Sequence, residues 1–288
     1  MKERHKKEKY SNILLILIFV VGLSLLLYPT VSNYWNSLRQ SRAVANYVEQ
    51  VAQLDEQDYE ALLEEAREYN NSILDRSLPF EMSEQEIEKY NKALDISGTG
   101  IMGYIEIPSI DVTLPIYHGV KGNVLQTAAG HMEWTSLPVG GESTHAVLSG
   151  HRGLPSAKLF TNLDKLSEGD IFMLQVLNET LTYEVDQILI VRPAETEALE
   201  ISEGKDLCTL VTCTPYGINT HRLLVRGHRV ENTEHTSTVR VTADAMQIDP
   251  LVLAPIIAAP LLLVLLIWVL IPNKKKRNSE DFKGEERQ

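Results

Sequence analysis

Two long uncharged runs bound what this chain can be. Residues 10–38 and residues 250–273 contain no Asp, Glu, Lys or Arg. Each exceeds the roughly 20 residues that an α-helix needs to cross a bilayer. With one run near each end of 288 residues, a purely soluble fold is a poor description. The charge distribution sharpens this. The formal net charge is −12; residues 1–9 carry net +3 and residues 274–288 net +2, which leaves −17 for the stretch between. Basic flanks mark the cytoplasmic side of a span. Both ends are therefore expected in the cytoplasm and the acidic middle outside. That middle also argues against nucleic acid as a partner, because phosphate binding needs clustered Lys and Arg.

The first apolar core, Ile13–Tyr28, follows a basic segment. A secretory signal peptide is the rival reading, but its core is usually about 7–15 residues. Here the core is longer and runs into PTVSNYWNS, whose Tyr34 and Trp35 suit interface depth. An uncleaved anchor is the expectation. The second core, Leu251–Ile271, holds Pro255 and Pro260 and precedes Lys274-Lys275-Lys276-Arg277. Prolines are tolerated in spanning helices. A tail removed after export is the alternative, though no cleavage motif stands before it. The predicted organisation is a basic tail (1–10), a span (11–35), a helical segment (36–97), a β-rich domain (98–235), a linker (236–249), a second span (250–272) and a cytoplasmic tail (273–288).

Within Arg42–Tyr69, apolar residues recur at Val44, Tyr47, Val48, Val51, Leu54, Leu62 and Leu63, the three-and-four spacing of an amphipathic helix. Ser77-Leu78-Pro79-Phe80 interrupts it. Ser83 followed by Glu86 is a capping-box signal for a second short helix to about Leu94. From Gly98 short β-rich runs alternate with Gly and Pro turns. Strands are predicted at Met102–Ile107, Val112–Tyr117, His145–Ser149, Ile171–Val176, Leu181–Val191, Leu207–Cys213 and Leu223–Arg229, with short helices at Val124–Ala129 and Ala157–Leu163. Many short strands in this length suggest an antiparallel barrel.

The two cysteines, Cys208 and Cys213, lie five apart in one predicted strand. Side chains alternate faces along a strand, so the sulfurs point to opposite faces. That argues against both a disulfide and a shared metal. CxxC and HExxH are absent and the eight histidines are scattered, so no metal or cofactor is expected. His118, His131, His145, His221 and His228 are read as loop, turn or strand-surface groups rather than ligands. Cys208 sits among apolar residues and reads as core. Cys213 ends its strand before Thr214-Pro215-Tyr216-Gly217 and is accessible. A nucleophilic thiol needs a partner that favours the thiolate or handles protons. His151, in the turn after a strand, is one candidate. Arg222, at the start of the strand after Cys213, is another basic group within reach.

The segment Thr209-Leu210-Val211-Thr212-Cys213, with Arg222 nine residues on, resembles the TLxTC…R signature of sortases. Leu148-Ser149-Gly150-His151-Arg152 resembles their catalytic-histidine segment. The likeness extends through Pro138–Gly141, Ala157–Phe160 and Leu223–Arg229, covering about residues 98–230. It implies an eight-stranded sortase-type β-barrel with short helices, an N-terminal helical or lid segment and two transmembrane helices. It also implies a cysteine transpeptidase. Cys213 would attack an LPxTG-like sorting signal to form an acyl-thioester. His151 would handle the amine protons, and Arg222 would stabilise oxyanion charge.

Class C sortases, which polymerise pilins, carry a C-terminal span and a lid over the cleft, and this chain has candidates for both. Leu78-Pro79-Phe80 is the nearest match to their Asp-Pro-aromatic lid. Leu78 replaces the acid, and Phe80 offers an apolar plug; the alternative is an ordinary turn between helices. The expected partners are LPxTG-like pilin or surface-protein sorting signals, an amine on a pilin lysine, and the membrane. A sortase that attaches proteins to peptidoglycan precursor is the nearest rival. A non-catalytic membrane scaffold is a remote one.

Overall fold

The computed structural model describes residues 2–232, 258–260 and 262–264. The second span, linker and C-terminal tail expected from the sequence thus lie outside the described residues, save 258–260 and 262–264, which are helical. Ser32–Ala243 forms one compact unit, and the residues up to Val31 belong to another.

The first helix, α1, runs from Lys2 to Val51. Its part Ile13–Val51 is long and apolar enough to cross a membrane. The most apolar window has a mean hydropathy of 2.6, and none of it is buried. An apolar window with no residue buried among the described residues suits a lipid environment. Towards its C-terminal end α1 changes character. Tyr47 is buried with Ile101 and Tyr104, and Ala43, Val44 and Val51 pack on them. The Tyr47 hydroxyl donates to Met102 O at 3.1 Å and accepts from Leu177 N at 2.6 Å.

The single amphipathic helix expected over 42–69 is in fact two. α1 ends at Val51 and α2 spans Glu56–Ser72. Asp55 causes the restart: its carboxylate accepts from Asp58 N at 2.8 Å as an N-cap. The short helix α3 spans Glu84–Lys92 and carries the predicted capping box between Ser83 and Glu86. Both helices dock through polar anchors on one loop. Asn70, buried in α2, accepts from Leu137 N at 2.6 Å and donates to Leu137 O at 3.2 Å. The Tyr69 hydroxyl donates to Glu133 O, and Tyr90 of α3 donates to His131 O at 3.0 Å.

Eight strands follow: β1 Ile101–Ile107, β2 Val112–His118, β3 Ala129–His131, β4 Thr144–Ser149, β5 Ile171–Val176, β6 Glu179–Val191, β7 Asp206–Thr214 and β8 His221–Val230. They close into a barrel in the order β1-β2-β3-β4-β7-β8-β6-β5. Seven of the eight match predicted strands. β3 was not predicted. A helix was expected over Val124–Ala129, but α4 covers only Gly122–Leu125 and Ala129 already begins β3. The helix expected over Ala157–Leu163 is a run of turns followed by a 3-10 turn at Leu163–Lys165. Leu159 has φ +40°, outside the right-handed helical region.

Nor is the barrel purely antiparallel. β2–β3 and β4–β7 are parallel pairs. A parallel pair cannot be joined by a tight hairpin; β5 and β6 are built in the excursion between β4 and β7. The consequence is positional: β4 and β7 end on the same rim.

Strand phase separates two apolar layers. Cys208 and Leu210 of β7 and Leu223 and Val225 of β8 belong to the main core. Val211 of β7, Leu224 of β8 and Val147 of β4 form a second cluster with Leu199 on the other face. Cys213 is in phase with Val211, and Arg222 with Leu224. The arginine therefore lies on the outer face and the apolar neighbours inside.

Candidate active site

Cys213 stands at the end of β7 and is half-buried, whereas Cys208 is buried. Burial pushes the Cys208 thiol well above its ordinary range, with the nearby Asp206 carboxylate adding to it. Both thiols are free, as the odd spacing required. Cys213 is paired across the ladder with Arg222 of β8, so two side chains nine positions apart in sequence become direct cross-strand neighbours. The Arg222 guanidinium donates through Nη1 to Asn219 O at 3.3 Å and His221 O at 3.1 Å. No carboxylate pairs with it among the described residues.

The turn after β4 brings His151 to the same rim. Ser149 pairs with Val211, and the parallel ladder continues one step past the strand end. Gly150 N donates to Val211 O at 3.0 Å. The Thr212 hydroxyl donates to Gly150 O at 2.8 Å. Two residues on, Arg152 Nη1 donates to Thr214 Oγ1 at 3.3 Å. The residues on either side of His151 are thus bonded to those on either side of Cys213. Gly150 is needed here, because a Cβ would stand 2.5 Å from the Phe160 ring. Phe160 in turn donates its N–H to His151 O at 3.1 Å. Burial lowers the pKa of the half-buried His151 imidazole, which favours its neutral form at neutral pH.

The outer cluster forms a floor beside this rim. Besides Val147, Leu199, Val211 and Leu224, it takes in Leu189, Val191 and Ala198. Leu78 packs against it, and the Thr196 hydroxyl donates to Leu78 O at 3.2 Å. Phe80 is not the residue on this floor. Its ring lies under the Arg76 guanidinium, 4.6 Å from centroid to Cζ. It lines a cavity of about 310 Å³ with Tyr69, Ile73 and Met82. A cavity of about 720 Å³ lies elsewhere, lined by Tyr104 and Glu106 of β1 and Gln175 of β5 and not by Cys213. Volume therefore does not locate this site; the strand ends do.

The remaining histidines correct the surface reading in two cases. His131 and His145 are buried. His131 bonds Tyr90 Oη at 3.0 Å and Ser136 O at 2.8 Å. His145 bonds Thr209 Oγ1 at 2.7 Å and Glu200 O at 2.9 Å. Burial drives both down, to about 3 for His131 and about 4 for His145. Buried polar groups are normally paired in this way, so both are structural. No group of three or more His, Cys, Asp and Glu placed to hold a metal occurs among the described residues.

Known proteins are similar to this chain in sequence and fold. The sortase domain family model matches residues 105–230. Sortase C1 of Streptococcus agalactiae is 54% identical with a TM-score of 0.65, over 67% of this chain and 100% of that one. A Streptococcus pneumoniae sortase C, whose structure is described as informing catalysis and pilin substrate specificity, is 44% identical with a TM-score of 0.60, over 67% and 98%. Sortase A of S. agalactiae is 26% identical over 245 residues, 83% of this chain and 93% of that one.

Proposed function

Since the chain belongs to the sortase family, we propose that it is a membrane-anchored class C sortase that joins pilin subunits, with Cys213 as its nucleophile. The observation that carries this is the shared rim: Cys213 pairs with Arg222 and is bracketed by bonds to the His151 turn. Similarity to the sortase C proteins, 54% and 44% identical, supports the class.

The chemistry then runs as follows. Cys213 Sγ attacks the Thr–Gly carbonyl carbon of an LPxTG-like signal, and its proton passes to His151. A largely neutral imidazole is suited to receive it. The carbonyl oxygen gains charge, and Arg222 supplies fixed donors to it. Collapse breaks the C–N bond, and His151 returns the proton to the departing glycine amine. The resulting thioester is attacked by a lysine amine, which loses its proton to His151 as the isopeptide bond forms and the thiol is restored. Leu78, Pro79 and Phe80 belong to a lid. Leu78 occupies the floor, and the Thr196 bond to its carbonyl holds the segment without a carboxylate at position 78. The N-terminal helix anchors the enzyme, with a second span at 250–272 and the barrel outside the cell.

The test is incubation of the full chain in detergent with candidate pilins, followed by mass spectrometry. A pilin Thr joined to a pilin lysine, and a thioester on Cys213, are expected. Transfer only to a peptidoglycan-precursor amine would favour the anchoring reading. Thioester formation surviving Cys213→Ala would refute the mechanism.

A further inference from the structure

Arg152 is a largely buried cation on the catalytic rim to which the chemistry above gives no part. Its side chain is 10% exposed. One guanidinium nitrogen, Nη2, pairs with Asp164, and the other, Nη1, reaches Thr214. Its Cζ lies 5.9 Å from the centroid of the Tyr216 ring. Nε is buried without a partner among the described residues. A buried guanidinium with an unpaired N–H is costly, so placement there calls for a return elsewhere.

What the side chain joins gives the return. Arg152 follows His151 directly, and Thr214 follows Cys213 directly. Asp164 belongs to the segment after Phe160, which already holds His151 O. Tyr216 belongs to the loop whose Asn219 carbonyl accepts from Arg222. Gly153 seals the arrangement. It has φ +77°, its N–H donates to Thr161 Oγ1 at 3.1 Å, and a Cβ there would stand 2.9 Å from the Tyr216 ring. Three loops thus meet at one guanidinium: the His151 turn, the segment through Asp164 and the Cys213–Arg222 loop. Only a planar fork can serve two partners at fixed directions while presenting a face to a ring.

We propose that Arg152 is a positioning residue that fixes the His151 imidazole relative to the Cys213 thiol, acting through Thr214, Asp164 and Tyr216. It touches neither substrate nor reacting atoms. Its effect is on proton transfer, which depends steeply on separation: misplacement by about 1 Å can cost on the order of 100-fold in rate. This rests on the assignment of His151 and Cys213 above.

The test uses Arg152→Lys and Asp164→Asn in the full chain in detergent. Asp164 is 44% exposed, so its variant keeps the fold accessible if the lysine variant unfolds. Peptide cleavage and the NMR titration of ¹³C-labelled histidine are both read. Arg152→Lys should lower kcat by about 10- to 100-fold with KM within about twofold. Asp164→Asn should lower it less. In both, the His151 titration should move up towards the ordinary histidine value, because a loosened turn hydrates the ring. A merely structural role predicts otherwise: a loss of activity that follows thermal stability, is recovered on cooling and leaves the His151 titration unchanged. That result, or wild-type kcat in a folded Arg152→Lys protein, would overturn the proposal. The titration needs no substrate, so it tests Arg152 even if the unaltered protein cleaves no sorting peptide, an outcome that would instead refute the sortase assignment.

Discussion

Leu78→Ala should open the cleft, and Phe80→Ala should do so far less. Leu78 is half-buried against the cluster containing Val211 and Leu224, the residues that share the outer face with Cys213 and Arg222. Complete burial of a leucine is worth about 1.5–3 kcal/mol. Half-burial and truncation to alanine therefore remove about 1 kcal/mol from the closed state. The Thr196 bond to Leu78 O involves backbone and survives the change. A loss of about 1 kcal/mol raises the open fraction about fivefold at 25 °C. Phe80 meets Arg76 of the same segment rather than the floor, so its truncation should change the open fraction less than Leu78→Ala does. The assay is the rate of Cys213 labelling by a bulky maleimide, since a small reagent would reach a half-exposed thiol with the lid in place. Cys208, buried with its thiol held protonated, contributes no background. Equal rates for folded Leu78→Ala and unaltered protein, or a larger effect from Phe80→Ala, would refute the assignment of Leu78 as the plug.

Four further outcomes follow from the same geometry. Cys213→Ala should abolish transpeptidation in a folded protein, while Cys208→Ala keeps most activity and costs about 1–2 kcal/mol in denaturant unfolding. Arg222→Lys should lose about 2.7–4 kcal/mol of transition-state stabilisation, read as kcat/KM on a sorting peptide; near-normal turnover would remove Arg222 from that role. His131 and His145, held near 3 and 4 by burial, bind protons more readily unfolded. Stability should be complete above about pH 6.5 and fall as pH drops towards 4 and 3, on the order of 3–5 kcal/mol per histidine, and a flat urea midpoint between pH 7 and 4 would contradict this. Reporter fusions at residues 35, 240 and 288 should read outside, outside and cytoplasm; a cytoplasmic signal at 240 would sink the topology.

The strands were legible because alternation and turn residues are local signals. Leu207–Cys213 and Leu223–Arg229 sit inside β7 and β8 with only a residue or two added at each end. The capping box at Ser83 was legible for the same reason. What failed was non-local. β3 is three residues long and exists because it lies between β2 and β4, and no period shows in so short a run. The break at Asp55 was hidden because apolar spacing continues across it. The phase of β8 placed Arg222 with Leu224 and opposite Leu223, but only the barrel says which side is inside. The pairing of Arg152 with Thr214 was illegible because it depends on β4 lying parallel to β7, and pairing order is not written in hydrophobic periodicity. The two motifs were readable in sequence as separate segments, and it was the resemblance to sortases, not periodicity, that implied their meeting in one site.

The anchoring of the helices limits how the proposed lid could move. α2 and α3, which flank the segment Ile73–Ser83, both dock on residues 131–137. Tyr69 bonds Glu133 O, Asn70 holds both backbone groups of Leu137, and Tyr90 bonds His131. The same loop contributes Met132 and Trp134 to the floor under Leu78. Lifting either helix would strip buried backbone groups of their partners, at about 1–3 kcal/mol for each group left unsatisfied. Releasing Leu78 from the floor costs its apolar contact and one bond from Thr196, about 2 kcal/mol together. Opening by a bend within Ile73–Ser83 is therefore cheaper than undocking α2 or α3. The two helices act as fixed posts, and the loop between them is the part that can leave the cleft while the floor and the rim keep their shape.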